Sequence, residues 1–329
     1  MSRMLVLLCV CSSGLILTGG CHKDTTPSPI PSFCAAEPEW GLGNLIAFVN
    51  APGAVIPPET PWPEDTLPGG LFVIRSDGTG LRSLAAKTPD SVSFPGWSPK
   101  WAPDGRWIWA RDIKGRIWKV TPDGESLVLL HPGVGGPFSI SPDGRRLAFE
   151  ANDDSLGVGG VRILDVETGR QKSVLPYGLD PSWSPDGSRL ACNGWLWEVN
   201  RWTHWIVMVD TSGDNIRKVC EVDDGPNGKA AAFSPDGKRI SFHMQGGGVF
   251  HVWVVNVDGT NPKRLTKKGG RWPSWSPDGK KIVYTRVTEF ISTGVREFGI
   301  PPGAEGIGDL YVINPDGSGE TRLTYFYPR

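Results

Sequence analysis

His204, His243, Gln245 and His251 are candidate metal donors. Three or four such groups converging at about 2 Å would hold a metal ion. Proximity in sequence is not convergence, and solvated or hydrogen-bonded side chains are the opposing reading. A second group lies in Gly194–Trp205, where Trp195, Trp197, Trp202 and Trp205 could stack on a sugar ring or anchor a protein partner. Alternatively Trp195 and Trp197, two apart, share one strand face and pack against the next sheet. Lys229 and Arg271 form a third group, each following a glycine. As a basic rim they would favour an anionic glycan or an acidic peptide over a cationic ligand; as ordinary surface residues they are merely solvated. No nucleophile is set up, because Gly-x-Ser-x-Gly is absent and no serine or cysteine has a His/Asp partner set beside it. Gly246-Gly-Gly248 is followed by neither a helical pattern nor Lys-Ser/Thr, so no phosphate loop is expected. The Asp-Gly pairs fall where hairpin turns are due, and no cofactor is expected. These residues point to binding rather than catalysis.

The elements that must position these groups announce themselves by repetition. Trp275-Ser-Pro-Asp-Gly279 recurs at Trp101–Gly105, Ile140–Gly144, Trp183–Gly187 and Phe233–Gly237. Proline fixes φ at the first turn position, Asp hydrogen-bonds the turn backbone, and Gly accepts the positive φ that follows. Alternating runs come next, as in Ile282/Tyr284, Ile240/Phe242 and Leu190/Cys192, and predict half-buried strands. The turn aspartates are spaced 39, 43, 50 and 42 residues apart. That period, with four strands in each unit, predicts β-propeller blades. Eight residues before each turn aspartate stands a glycine: Gly96, Gly135, Gly178, Gly228 and Gly270. Inner strands crowd at a propeller axis, where a residue without Cβ fits.

A degenerate first unit, with Gly41-Leu-Gly-Asn44 in place of the turn, brings the count to six. The expected fold is all-β, a six-bladed propeller of four-stranded antiparallel blades at about 33–87, 96–131, 135–176, 178–222, 228–268 and 270–325. Each blade starts on its inner strand and ends on its outer one, so ring closure is expected to rest on packing between the first and last blades. The long connections, Asn50–Gly70, Asn152–Gly160, Asn193–His204, Gln245–Phe250 and Arg286–Asp309, all join second to third strands. They share one face of the disc, opposite the short Pro-Asp-Gly turns, and make that face the functional candidate.

The Trp/Phe-Ser-Pro-Asp-Gly-Lys-x-Ile-x-Phe/Tyr core, with Asn314-Pro-Asp-Gly317 and Arg-Leu-Thr at 264–266 and 322–324, resembles the WD40-like repeat of TolB-type propellers over roughly residues 38–324. The resemblance implies six blades and a cell-envelope role like that of TolB, which couples to peptidoglycan-associated lipoprotein. TolB has an α/β domain ahead of its propeller, whereas a tether of a dozen or so residues is expected here. A different propeller resemblance, to lyases with a histidine-rich metal site in the channel, implies the alternative: a carbohydrate-active lyase or hydrolase working at the channel mouth.

A formal net charge of −1, or −2 once residues 1–20 with their single Arg3 are removed, gives no electrostatic footprint for nucleic acid. Met4–Leu17 is an apolar run too short to span a bilayer. It leads into Leu17-Thr-Gly-Gly-Cys21, which resembles a lipobox with its leucine displaced by one place. Residues 1–20 are thus expected to be a signal peptide, Cys21 the lipid-attachment site, 21–32 a Pro-rich tether and 33–329 the propeller. An ordinary signal peptide cut nearby is the competing reading. The expected protein is a monomer in the bacterial cell envelope, lipid-anchored, periplasmic or surface-exposed. Cys192 and Cys220 are expected as two buried thiols rather than a bridge.

Overall fold

The computed structural model describes residues 35–50, 70–84, 97–112, 114–134, 136–153, 158–198, 201–222, 229–246, 248–291 and 305–325. They lie in one compact unit, Pro31–Arg329. Cys21, the tether, Gly96, Gly135 and Gly228 fall outside the described residues, as do most of Asn50–Gly70 and of Arg286–Asp309. The described strands form six separate four-stranded antiparallel sheets, each from consecutive strands. The protein is a six-bladed β-propeller. A 3-10 turn, Leu42–Asn44, stands between the first two strands. Among the described residues no helix is long and apolar enough to cross a membrane.

The inner strands are Ala35–Trp40, Trp97–Trp101, Phe138–Ile140, Gly178–Trp183, Lys229–Phe233 and Arg271–Trp275. In blades three to six a serine begins the turn that follows. Its hydroxyl donates to the turn aspartate at 2.5–2.7 Å (Ser141–Asp143, Ser184–Asp186, Ser234–Asp236, Ser276–Asp278). The same oxygen accepts the N–H of the residue five positions on, at 2.9–3.0 Å. Blade two has Ala102 there and so lacks both serine bonds, while Arg106 N still donates to Asp104 and the backbone bonds of the turn remain. The turn glycines of blades two to six have φ of 67–71°.

Six apolar clusters fill the six seams between neighbouring blades. At the fourth blade Leu190, Cys192, Val207 and Val209 face blade three, while Ala191, Ile206 and Met208 face blade five. The alternation is therefore present, but the strands are buried on both faces rather than one, because each sheet is sandwiched between two others. Cys192 and Cys220 point to opposite faces of this sheet and are not bridged to each other. Cys192 is fully buried, whereas Cys220 is partly exposed. The ring closes by packing: Trp40, Ile46, Phe48, Phe72 and Ile74 of blade one meet Val283, Leu310, Val312 and Leu323 of blade six. A hydrogen bond joins the same seam, from Trp40 N to Ser274 Oγ at 3.1 Å.

Two of the five repeated glycines are described, and both are where a side chain has no room. A Cβ on Gly178 would lie 2.3 Å from Leu175 Cδ2, and one on Gly270 2.8 Å from Tyr284 Cδ2.

Candidate functional site

The inner strands enclose a central cavity of about 1070 Å³, lined from the Pro-Asp-Gly turns at one end to Asp180, His243 and Arg271 at the other. What shapes its wall is a break in the inner strands. Pairing of the first and second strands slips by a residue in blades one, two, four, five and six. In four of these a non-glycine residue at the slip has positive φ: Glu37 (49°), Ser98 (51°), Asp180 (49°) and Trp272 (51°). Each is followed by proline. A left-handed residue ahead of proline is a costly conformation that persists only where surrounding bonds hold it. For three of the four, those bonds come from the preceding blade. Glu37 accepts the N–H of Ser98 at 2.7 Å, Glu150 that of Asp180 at 2.8 Å, and His243 Nδ1 that of Trp272 at 3.2 Å. All four kinked residues line the cavity.

Arg271 takes part in a cluster at blades five and six. Its guanidinium lies 4.1 Å from the centre of the Phe250 ring and 5.8 Å from that of Trp272. His243 meets both rings edge-on, at 5.3 and 6.2 Å between centroids. Lys229 pairs with His243 through the backbone. The basic sector is one part of a mixed lining, which sequence reasoning missed. Lys100 is ion-paired with Glu39 at 3.0 Å. Burial opposes the Lys100 charge, but Glu39, with Glu37 and Asp180 behind it, holds its pKa above the ordinary lysine value. Burial lowers the pKa of Arg111 against the pull of Glu37, Glu150 and Asp112. A readable signal existed: X-Pro-x-Trp at Glu37–Trp40, Ser98–Trp101, Asp180–Trp183 and Trp272–Trp275 marks the four kinks.

The tryptophan group lies apart from the channel. Asn193–His204 is chiefly strand, not loop: Arg189–Glu198 and Arg201–Asp210 pair without interruption as a two-stranded arm. Aromatic and β-branched residues with no proline favour that extension. Asn152–Gly160 and Gln245–Phe250 are likewise largely strand. Trp197 is 59% exposed near the arm's tip, opposite Trp202 in register. Trp195 meets His204 edge-on, and Trp205 packs on the seam between blades three and four beneath Lys218. The histidines disperse: His251 Nδ1 binds Thr266 O at 3.0 Å, His243 accepts from Trp272, and His204 sits on the arm. Gln245 pairs with Phe250 at the end of its hairpin. Among the described residues no group of three or more His, Cys, Asp or Glu converges on a metal-sized site.

This geometry defines a propeller with an ionic, aromatic-edged channel, and the comparisons agree on its kind. A family model described as TolB beta propeller domain matches residues 177–289. An uncharacterized protein of Agrobacterium fabrum is 28% identical over 240 residues, 67% of this chain and 75% of that protein. The Tol-Pal system protein TolB of Anaeromyxobacter dehalogenans is 28% identical over 105 residues, 31% of this chain but only 23% of that protein. The crystal structure of TolB from Acinetobacter baumannii superposes with a TM-score of 0.56 at 20% identity, covering 76% of this chain and 58% of that one. The chain thus carries a TolB-like six-bladed propeller.

Proposed function

We propose that the protein is a lipid-tethered binding protein of the bacterial cell envelope, periplasmic or surface-exposed, that presents its channel mouth to an envelope protein or glycan without transforming it. The observation that carries this reading is the Arg271 cluster. A guanidinium stacked on Phe250, beside Trp272 whose N–H is held by His243, offers a positioned cation with aromatic edges. The TolB likeness, to a component named for the Tol-Pal system, supports an envelope partner. Lys229, which pairs with His243, extends the basic sector in this reading, and Trp195, Trp197, Trp202 and Trp205 supply a separate contact on the arm.

Two measurements test the proposal. Mass spectrometry of the mature N-terminus should find a diacylated or triacylated Cys21; an unmodified amine at another residue removes the anchor. Capture from envelope extracts should be lost in the Lys229→Glu/Arg271→Glu double variant and weaken with added salt. Capture that ignores both removes the channel mouth. Metal analysis of the same sample, with an assay of glycan cleavage, decides against binding alone if a metal-loaded protein turns glycan over.

A further inference from the structure

Glu150 and His243 stand at the same place in the repeat, seven residues after the turn aspartates Asp143 and Asp236, and do the same work. Glu150 accepts the N–H of Asp180 at 2.8 Å, and His243 Nδ1 accepts that of Trp272 at 3.2 Å. Each bond runs from the second strand of one blade to the inner strand of the next, and reaches a residue with φ of 49° or 51° that precedes proline. The bond from Ser98 N, at a third kink, also ends on a carboxylate, that of Glu37. The acceptors differ in one respect. A carboxylate accepts at any pH above about 4, whereas an imidazole nitrogen accepts only while it carries no proton. A backbone N–H can only donate, so the Trp272 bond requires His243 to be neutral with its proton on Nε2.

The seat of Arg271 depends on this bond. Trp272 follows Arg271 directly, and its left-handed φ ahead of Pro273 is a conformation that must be held in place. His243 is 2% exposed, and its ring stands edge-on to Phe250 and Trp272, the two rings beside the Arg271 guanidinium. A proton on Nδ1 would set one N–H against another. The charged neighbours come from several strands. Arg271 lies on the inner strand of blade six, and Lys229, on the inner strand of blade five, pairs with His243 through the backbone. Arg286, on the second strand of blade six, donates to Gly269 O two residues before Arg271 and is ion-paired with Glu320. His251, on the third strand of blade five, is opposite Met244 and so turns to the other face of the sheet. Burial and the cations nearby both oppose a second proton on the ring.

We propose that His243 is an acid-sensitive latch on the Arg271 site: the neutral ring holds Trp272 in its left-handed conformation, and protonation releases Trp272 and unseats Arg271. The inference deepens the channel-mouth reading above and rests on it for the ligand. Two effects of the proton compete. An imidazolium beside Arg271 adds positive charge, which by itself would draw an anion more strongly. Loss of the Nδ1 bond removes the geometry that aims the guanidinium. Geometry prevails, because the nearly buried His243 acts on a ligand at a distance whereas Arg271 makes the contact itself. A charge-assisted hydrogen bond weakens steeply once donor and acceptor are misaligned. Anion binding at the channel mouth therefore weakens in acid. The kinks at Ser98 and Asp180 end on carboxylates and keep their bonds over the same range.

Nuclear magnetic resonance of the full chain in detergent, with nitrogen-labelled histidine and tryptophan, reads the ring itself. His243 should be the Nε2–H tautomer at pH 7.5 and take up a second proton only below the ordinary histidine value of about 6.5. The Trp272 amide, identified by its absence in Trp272→Phe, should shift with that titration. An Nδ1–H tautomer, or a Trp272 amide indifferent to the titration, overturns the latch. Calorimetry at pH 7.5 and pH 5 then reads binding with two probes that stay ionised over that range, a hexa-aspartate peptide and a sulfated disaccharide. A probe that binds at pH 7.5 should bind roughly fivefold more weakly at pH 5. In His243→Asn, where an amide oxygen that does not titrate takes the place of Nδ1, that pH ratio should shrink to less than about twofold. Arg271→Gln should abolish binding at both pH values. Binding that tightens in acid, or a pH ratio unchanged in His243→Asn, overturns the latch and leaves the channel-mouth reading standing. If neither probe binds at pH 7.5 the channel-mouth reading falls, and the tautomer and the Trp272 amide still decide the latch.

Discussion

At the scale of single residues, the turn serine matters as much as the Pro-Asp-Gly that follows it. Ser276 Oγ donates to Asp278 and accepts from Lys281 N, closing the turn from both sides. Ser276→Ala should cost about 1 kcal/mol in chemical denaturation, the usual net worth of such bonds, and blade two shows that the turn survives the change. The donors also hold the carboxylates of Asp143, Asp186, Asp236 and Asp278 below the ordinary value; for Asp186 the Ser184 hydroxyl, then the Ser188 N–H and hydroxyl, bring it to about 2. A carboxylate whose folded pKa is depressed adds stability that is present above its unfolded value of about 4. That stability is lost as pH falls through the folded value. Denaturation midpoints should therefore drop between about pH 4 and pH 2, and Asp186→Asn should flatten that drop. The effect is modest because these groups face solvent.

At the scale of elements, two glycines that look alike in sequence do different things. Gly279 has φ of 68° and a Cβ there would meet Pro235 at an ordinary 3.6 Å. Gly279→Ala should cost on the order of 1 kcal/mol, all of it backbone strain. A Cβ on Gly270 would stand 2.8 Å from Tyr284 and 2.9 Å from Val252, both fully buried. Gly270→Ala should cost roughly 1–3 kcal/mol by overpacking, and a melting curve unchanged by it would remove the steric account. Turns and second strands were legible because their causes are local: a φ requirement, a fixed φ at proline, an alternation of apolar residues. The kinked wall of the channel was not, although X-Pro-x-Trp spelled its position. Glu37 meets Ser98 across 61 residues and His243 meets Trp272 across 29, and no local pattern states which carboxylate or ring will face which backbone N–H. The tryptophan arm reads as loop in the sequence for a related reason: the composition of neither strand states that Trp195 pairs with His204 and Trp197 with Trp202.

At the scale of the whole molecule, the ring has one weak place. Every other seam is crossed by the chain itself as it passes from one blade to the next, whereas among the described residues blades one and six meet through side chains and the bond from Trp40 N to Ser274 Oγ. Phe48 is fully buried in that seam beside Ile46, Val283, Leu310 and Val312. Phe242 is equally buried in the seam between blades four and five. Truncating either to alanine should cost about 3–5 kcal/mol, from lost burial and the cavity left behind. The two variants should nevertheless differ in how they open. With Phe242→Ala, the flanking blades stay joined by the chain, so amide exchange should rise across the propeller together. With Phe48→Ala, no connection among the described residues holds the face that blades one and six share. Amides of Leu45–Asn50 and of Glu305–Ile313 should then lose protection well before those of Gly178–Trp183. Hydrogen exchange read by mass spectrometry distinguishes the cases. Uniform loss of protection in Phe48→Ala would mean that the ring is held by the sum of its seams, with no seam weaker than another.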